Sequence, residues 1–254
     1  MSVEEREHPS RRRFLGTAGA AAAGLVLSPL SRPREGRASP RPASSPLLIG
    51  IIGSGRQGGS LGLLFARAGH QVLFSSRHPD ELSDLVRQAG NGARAGMPDE
   101  AARFGEIVLI AVPYGALPQV GKDYAPLMQG KAVIDCGNPR EDRDGPMARD
   151  AIQKGTGVAS AEYLPGVRLV RSFSALSYIT VRRENHRSGD WVGIPLAGDD
   201  ANALAATERL IHDSGFDPVL VGGLQRARLF DRGTPVYVKG MTADELRAAL
   251  DIRP

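Results

Sequence analysis

Gly53-Ser54-Gly55-Arg56-Gln57-Gly58 constrains this chain more than any other stretch. It follows a continuous apolar run at residues 47–52 and precedes Leu61-Gly62-Leu63-Leu64-Phe65-Ala66-Arg67-Ala68, whose spacing is helical and which ends at Gly69. The run reads as a strand buried on both faces, and Gly69 as the residue that stops the helix. Glycines at this spacing permit a tight turn, close backbone approach to a pyrophosphate and close helix-to-strand packing, while the helix N-terminus adds partial positive charge. In a chain with 31 glycines the pattern alone is weak. Its place between a strand and a helix is what assigns Gly53, Ser54, Gly55, Arg56, Gln57 and Gly58 to dinucleotide binding.

The alternation continues downstream. A second strand is expected at residues 71–75, and Pro79 opens a helix through Leu82, Leu85 and Val86. Further apolar runs lie at residues 107–112, 132–134, 167–170, 192–196 and 218–221. Asp199 and Asp200 can cap a helix from Ala201 to about Ser214, closed by Gly215, and Thr242-Ala243-Asp244-Glu245 is a capping box. Strands separated by helices predict an α/β fold, a Rossmann-type doubly wound and mostly parallel sheet with a short C-terminal α/β extension. The expected organisation is a leader at 1–45, a nucleotide-binding domain at 46–160 and a C-terminal lobe at 161–254.

The end of the second strand selects the dinucleotide. An NAD site places Asp or Glu there to hold the ribose 2′-hydroxyl. This chain has Ser75-Ser76-Arg77, two hydroxyls and a guanidinium suited to a 2′-phosphate, so NADP(H) is expected. Ligands of parallel sheets bind beyond the carboxyl ends of the strands, which brings Ala111-Val112-Pro113 to the ribose and nicotinamide. Asn138 could bond a carboxamide or ribose, with Pro139 stiffening its turn, or the pair could simply make a turn.

Charge locates a further signal. The net charge is +4, but residues 1–45 carry eight of the 32 basic and four of the 28 acidic side chains, which leaves 46–254 neutral. Ser10-Arg11-Arg12-Arg13-Phe14-Leu15, followed by an uncharged Ala/Gly-rich run to Ser31, is the layout of a twin-arginine signal. Export by the twin-arginine translocase to the periplasm or cell exterior is therefore expected, with a tether if the signal is not cleaved. The charged segment at 182–187 lacks interleaved aromatics, so nucleic acid is not an expected partner. It is either a solvated loop or a gate over the acceptor. Cys136 is the single cysteine, which excludes an intrachain disulfide and a cysteine-based metal site. His186 and His212 have no partner at metal-ligand spacing, and no metal is expected. His70 is read as structural, Tyr114 as a wall of the cofactor cleft and Trp191 as core. His78 either stacks near the adenine or faces solvent.

These pieces in this order resemble the deazaflavin-dependent NADP reductases, the NADP oxidoreductases that use coenzyme F-420. The matching residues are 49–58, Ala68-Gly69-His70-Gln71-Val72, Ser76-Arg77, Ala111-Val112-Pro113 and Ile134-Asp135 through Asn138-Pro139. In the second half they are Leu164-Pro165-Gly166, Val170-Arg171-Ser172-Phe173, Ala197-Gly198-Asp199-Asp200, Gly215-Phe216-Asp217-Pro218 and Ala227-Arg228-Leu229. The resemblance implies hydride transfer between the nicotinamide of NADP(H) and a flavin-like small-molecule acceptor, deazaflavin or flavin. The cofactors supply that chemistry, with no obligatory side-chain acid or base. It also implies acceptor contacts at Phe173 and Ser174, within Arg171-Ser172-Phe173-Ser174-Ala175, where the family usually reads Lys-Ala-Phe-Asn-Thr. Another acceptor (a flavin, a ferric chelate or a cyclic imine), a non-catalytic NADP-binding protein and a homodimer all remain open at this point.

Overall fold

Strands that are apolar on both faces need helices on both sides, and the chain supplies them in order. The computed structural model describes residues 45–252; the arginine-rich leader, with the twin-arginine signal read in it, lies outside the described residues. The first half runs β1 (Leu48–Ile52), α1 (Arg56–Arg67), β2 (Gln71–Ser75), α2 (Ser83–Ala89), β3 (Arg94–Gly96), α3 (Pro98–Phe104), β4 (Ile107–Ile110), α4 (Leu117–Tyr124) and β5 (Ala132–Asp135). Three helices, α5 (Glu141–Asp144), α6 (Pro146–Lys154) and α7 (Thr156–Tyr163), lead into β6 (Arg168–Ser172). The chain then forms α8 (Tyr178–Glu184), β7 (Gly193–Gly198), α9 (Ala201–Asp213), β8 (Asp217–Gly222) and α10 (Ala243–Ala249).

All eight strands form one sheet in the order β3-β2-β1-β4-β5-β6-β7-β8. Pairing is parallel from β3 to β6 and again between β7 and β8. This is the expected Rossmann-type α/β fold. β5 and β6 pair across residue 160, so the sheet runs unbroken through the boundary drawn there from sequence. The strand period of two sorts the core into layers. Ile49, Ile51, Ile107, Leu109 and Ile134 face Leu61 and Phe65 of α1 and Leu210 and Ile211 of α9. Ile52, Val108, Ile110, Val133 and Leu169 face Ala101 of α3, Leu117 of α4 and Ala159 of α7. A third cluster around Val219, Phe230 and Leu246 fastens the C-terminal segment to β7 and β8.

Two features depart from the sequence pattern. β3 is a three-residue edge strand with two exposed side chains, too short and too polar to register as an apolar run. β7 runs antiparallel to β6, with Ser172 opposite Leu196 and Val170 opposite Gly198. The connection from β6 through α8 thus returns the chain to the sheet at the edge where it left, not at the opposite one.

The registers pair Ile52 with Ser75 and Ile110, Ile110 with Asp135, and Asp135 with Arg171. The carboxyl ends of β1, β2, β4, β5 and β6 are therefore level. Loops starting at Gly53, Ser76, Ala111, Cys136 and Phe173 emerge side by side from that edge.

Candidate functional site

Two cavities open along this edge and meet at Val112 and Pro113, which line both. The larger, about 600 Å³, is bordered by Gly53, Ser54, Gly55, Ser75, Ser76 and Arg77. Gly53 has φ +96° and packs so closely on β4 that a Cβ would stand 2.8 Å from the Ala111 carbonyl oxygen. Gly58 lets α1 approach β1, since a Cβ there would lie 2.2 Å from the Gly53 carbonyl oxygen. Gly55 caps α1 with no side-chain hydrogen bond, and the space beyond its Cα is open for 4 Å. The Ser54 hydroxyl is buried without a hydrogen-bond partner. Free helix N–H groups, an unpartnered hydroxyl and an open space over glycine together fit a pyrophosphate.

The residues after β2 divide their work. The Ser75 hydroxyl is buried and donates to the Ile51 carbonyl at 2.6 Å, so it belongs to the sheet rather than to a ligand. The Ser76 hydroxyl accepts from the His78 amide at 3.1 Å and shapes the turn. Arg77 is exposed at the mouth of the cavity and makes no ion pair among the described residues. His78 faces solvent.

The smaller cavity, about 300 Å³, is lined by Gln57, Ala111, Cys136, Asn138, Phe173 and Ser174, and farther out by Arg140, Arg143, Tyr178, Arg232 and Tyr237. Its back wall is the loop after β6, which two side-chain amides hold by its carbonyls. Gln57 Nε2 donates to Phe173 O at 3.1 Å, and Asn138 Nδ2 donates to Ser174 O at 2.8 Å. The loop needs holding because Phe173 has φ +57°, a conformation costly for a side chain with a Cβ, and its ring packs edge-on against Phe65 at 6.0 Å. Asn138 Oδ1 and Ser174 Oγ remain buried without partners, a hydrogen-bond acceptor and a hydroxyl on residues that line this cavity. Burial pushes the Cys136 thiol up to about 12, and it donates to Ile110 O at 3.3 Å, so it is a protonated, apolar-like wall residue.

Beneath the smaller cavity lies a charged network that the sequence did not disclose. Arg171 is fully buried on β6; its Nη1 donates to Asp135 Oδ2 at 2.8 Å, to Asp135 O at 3.1 Å and to Gly137 O at 2.8 Å. Asp135 also accepts from Ser160 Oγ at 2.7 Å and from the Gly137 amide at 2.8 Å. Tyr114 closes the group at 3.1 Å from Ser160 Oγ. Burial raises its phenol well above the ordinary tyrosine range, so it stays protonated. Within an apolar strand pattern, the arginine at 171 was the available clue.

Among the sequence candidates, Arg56, Gly58 and Pro139 line neither cavity. Arg56 instead lies 5.7 Å over the Tyr178 ring, bracing that wall of the smaller cavity from outside. Gln57 serves the smaller cavity rather than the larger. Two secondary expectations are corrected. Tyr114 is a member of the buried network, because its hydroxyl finds Ser160 inside the protein, and it does not wall the cleft. Trp191 is half-buried, with the His186 ring edge-on at 5.7 Å and the His212 ring tilted at 5.5 Å, because it precedes β7 instead of opening it. The charged segment at 182–187 begins in the last turn of α8, where Arg182 Nε donates to Ser60 Oγ at 2.7 Å, and it lines neither cavity. His70 is buried, with Nδ1 accepting from the Leu47 amide at 3.3 Å, and is structural. Among the described residues no cluster suits a metal, and no helix is long and apolar enough to cross a membrane.

A parallel sheet with a glycine turn, an open helix N-terminus and a two-part cleft at its carboxyl edge defines a Rossmann-type dinucleotide-binding protein. Residues 48–139 match the family model described as NADP oxidoreductase coenzyme F420-dependent. Two curated relatives carry oxidoreductase names. Metalloreductase STEAP3 of Rattus norvegicus is 26% identical over 190 residues, covering 71% of this chain and 35% of that protein. Glycerol-3-phosphate dehydrogenase [NAD(P)+] of Rhizobium etli (strain CIAT 652) is 26% identical over 238 residues, covering 78% of this chain and 71% of that one. The chain thus spans about a third of the length of the rat protein. Among solved structures, a candidate F420-dependent NADP reductase from Arthrobacter sp. FB24 shares the fold, with TM-score 0.60, 20% identity and coverage of 72% of this chain and 87% of that one.

Proposed function

We propose that the chain is an NADP(H)-dependent oxidoreductase that moves a hydride between the nicotinamide and a flavin-like acceptor, deazaflavin or flavin. The observation that carries this is the junction of the two cavities at Val112 and Pro113, which lets a dinucleotide in the larger cleft present its reactive ring to a second molecule in the smaller one. Gly53, Gly55 and the first turn of α1 would hold the pyrophosphate, Ser76 and Arg77 the 2′-phosphate, and Asn138 Oδ1 the carboxamide. When bound, NADPH supplies a hydride, which the acceptor takes up together with one solvent proton. The protein contributes position and exclusion of water: the amides of Gln57 and Asn138 fix the loop that backs the acceptor, and Phe173 and Leu176 keep that side dry.

A compact acceptor, a cyclic imine or a ferric chelate, is the second reading. It is favoured by the 300 Å³ volume, at the small end of the roughly 300–1,000 Å³ of small-molecule sites.

Calorimetric titration with NADPH and NADH tests the cofactor assignment. NADPH should bind more tightly, and Arg77→Ala should weaken it about 10- to 100-fold, the range of a charge-assisted contact, while changing NADH by about threefold or less. Tighter binding of NADH would overturn the assignment. The leader at 1–45 further supports export by the twin-arginine route. Fractionating cells that express the full chain and its Arg11→Lys/Arg12→Lys variant tests this, and unchanged export of the variant would refute it.

A further inference from the structure

We propose that the smaller cavity accepts a molecule carrying an anionic group, a phosphate or a carboxylate, received by Arg140, Arg143 and Arg232. The inference rests on the assignment of that cavity to the acceptor. Three arginines line it and no aspartate or glutamate does, whereas the larger cavity sets Glu81 and Asp123 against Arg77. Residues 46–254 are neutral as a whole, so this concentration of charge is local. The three come from chain segments about 90 residues apart, the turn after β5 with α5 and the stretch that follows residues 224–229.

Two of the guanidinium groups are braced from behind. Arg140 Nε donates to Asp142 Oδ1 at 3.0 Å. Arg143 donates from Nε to Asp144 Oδ1 at 2.7 Å and from Nη2 to Asn138 O at 2.9 Å. Nη1 of each keeps no hydrogen-bond partner among the described residues. Arg232 makes no ion pair among them, which leaves the rim one positive charge in excess. The Nε and Nη2 groups of Arg140 and of Arg143 are taken by Asp142 and Asp144, so the Nη1 groups of these two, held in place, and the fork of Arg232 are what can meet the oxygens of a phosphate or carboxylate. Farther in, Ala111, Val112, Phe173 and Leu176 form an apolar wall. The cavity therefore suits an apolar or aromatic body with an anion at its outer end. The phosphates of the dinucleotide do not account for these arginines, because none of the three lines the larger cavity.

The test uses the full chain saturated with NADP⁺, titrated calorimetrically with two matched pairs. Flavin mononucleotide and riboflavin differ by a phosphate; 1-pyrroline-5-carboxylate and 1-pyrroline differ by a carboxylate. The charged member of one pair should bind at least about tenfold more tightly, and the pair that responds identifies which anion is recognised. Arg232→Gln and, separately, Arg140→Gln should each reduce that preference to about threefold or less, with NADP⁺ affinity unchanged. Arg143 is left intact because it also holds the Asn138 turn. Equal binding within both pairs, binding of neither pair, or a preference that survives both substitutions would overturn the proposal while NADP⁺ still binds. Failure of NADP⁺ itself to bind would instead remove the functional assignment on which it rests.

Discussion

Replacing Arg171 by methionine keeps most of the side-chain length and removes the charge beneath the smaller cavity. Arg171 and Asp135 are 0% and 1% exposed, so neither can turn to water when its partner is lost. The substitution deletes three hydrogen bonds from Nη1 and the 3.5 Å approach of Nη2 to Asp231. It leaves the Asp135 carboxylate with only the Ser160 hydroxyl and the Gly137 amide. Stranding one charge of a buried pair costs about 3–5 kcal/mol, a large share of the roughly 5–15 kcal/mol that holds a domain together. With a urea slope of about 2 kcal/mol/M, the unfolding midpoint should fall by about 2 M. Adding Asp135→Asn to the Arg171→Met variant should restore about half the loss, because the stranded charge is then gone. Urea unfolding of the wild type, both single variants and the double variant gives the coupling directly. A midpoint shift below about 0.5 M for Arg171→Met, or additive losses in the double variant, would refute the assignment of the network to stability.

Three further outcomes follow from the same structure. Cys136, buried and held near 12, should resist iodoacetamide at pH 8 in the folded protein and react within minutes in urea; rapid native labelling would contradict its burial. Burial lowers the pKa of His70 from 6.5, so as pH falls through that value the unfolded chain takes up a proton that the folded chain refuses. Stability should therefore decline from pH 7.5 to 5.5, by no more than about 1.4 kcal/mol per pH unit, and His70→Gln should flatten the profile in urea titrations at the two pH values. Gln57→Ala frees the carbonyls of Phe173 and Leu176, so hydrogen exchange at residues 173–177 should accelerate while α1 stays protected. Unchanged exchange there would mean that Asn138 and the Phe65 contact suffice to hold the loop.

What the sequence determined by itself is the part encoded over short distances. A strand, a glycine turn and a helix occupy contiguous residues 48–67, and each depends on local backbone geometry, so the tight turn at Gly53 and Gly55 that opens α1 was legible. Strand periodicity made the α/β class legible for the same reason. Ser76 and Arg77 followed because the end of β2 must lie beside the end of β1 in a parallel pair. Tertiary structure alone decided how residues 36 to 116 positions apart combine. Gln57 reads as part of the glycine turn, yet its amide reaches Phe173. Arg171 reads as a strand residue near the pocket, yet it turns inward to Asp135, where only the register of β5 and β6 could place it. Arg232 converges with Arg140 and Arg143 only because the segment after β8 folds back over the carboxyl edge of the sheet. Such side-chain partnerships carry no periodic signature, because each depends on where two distant strands or loops end in space.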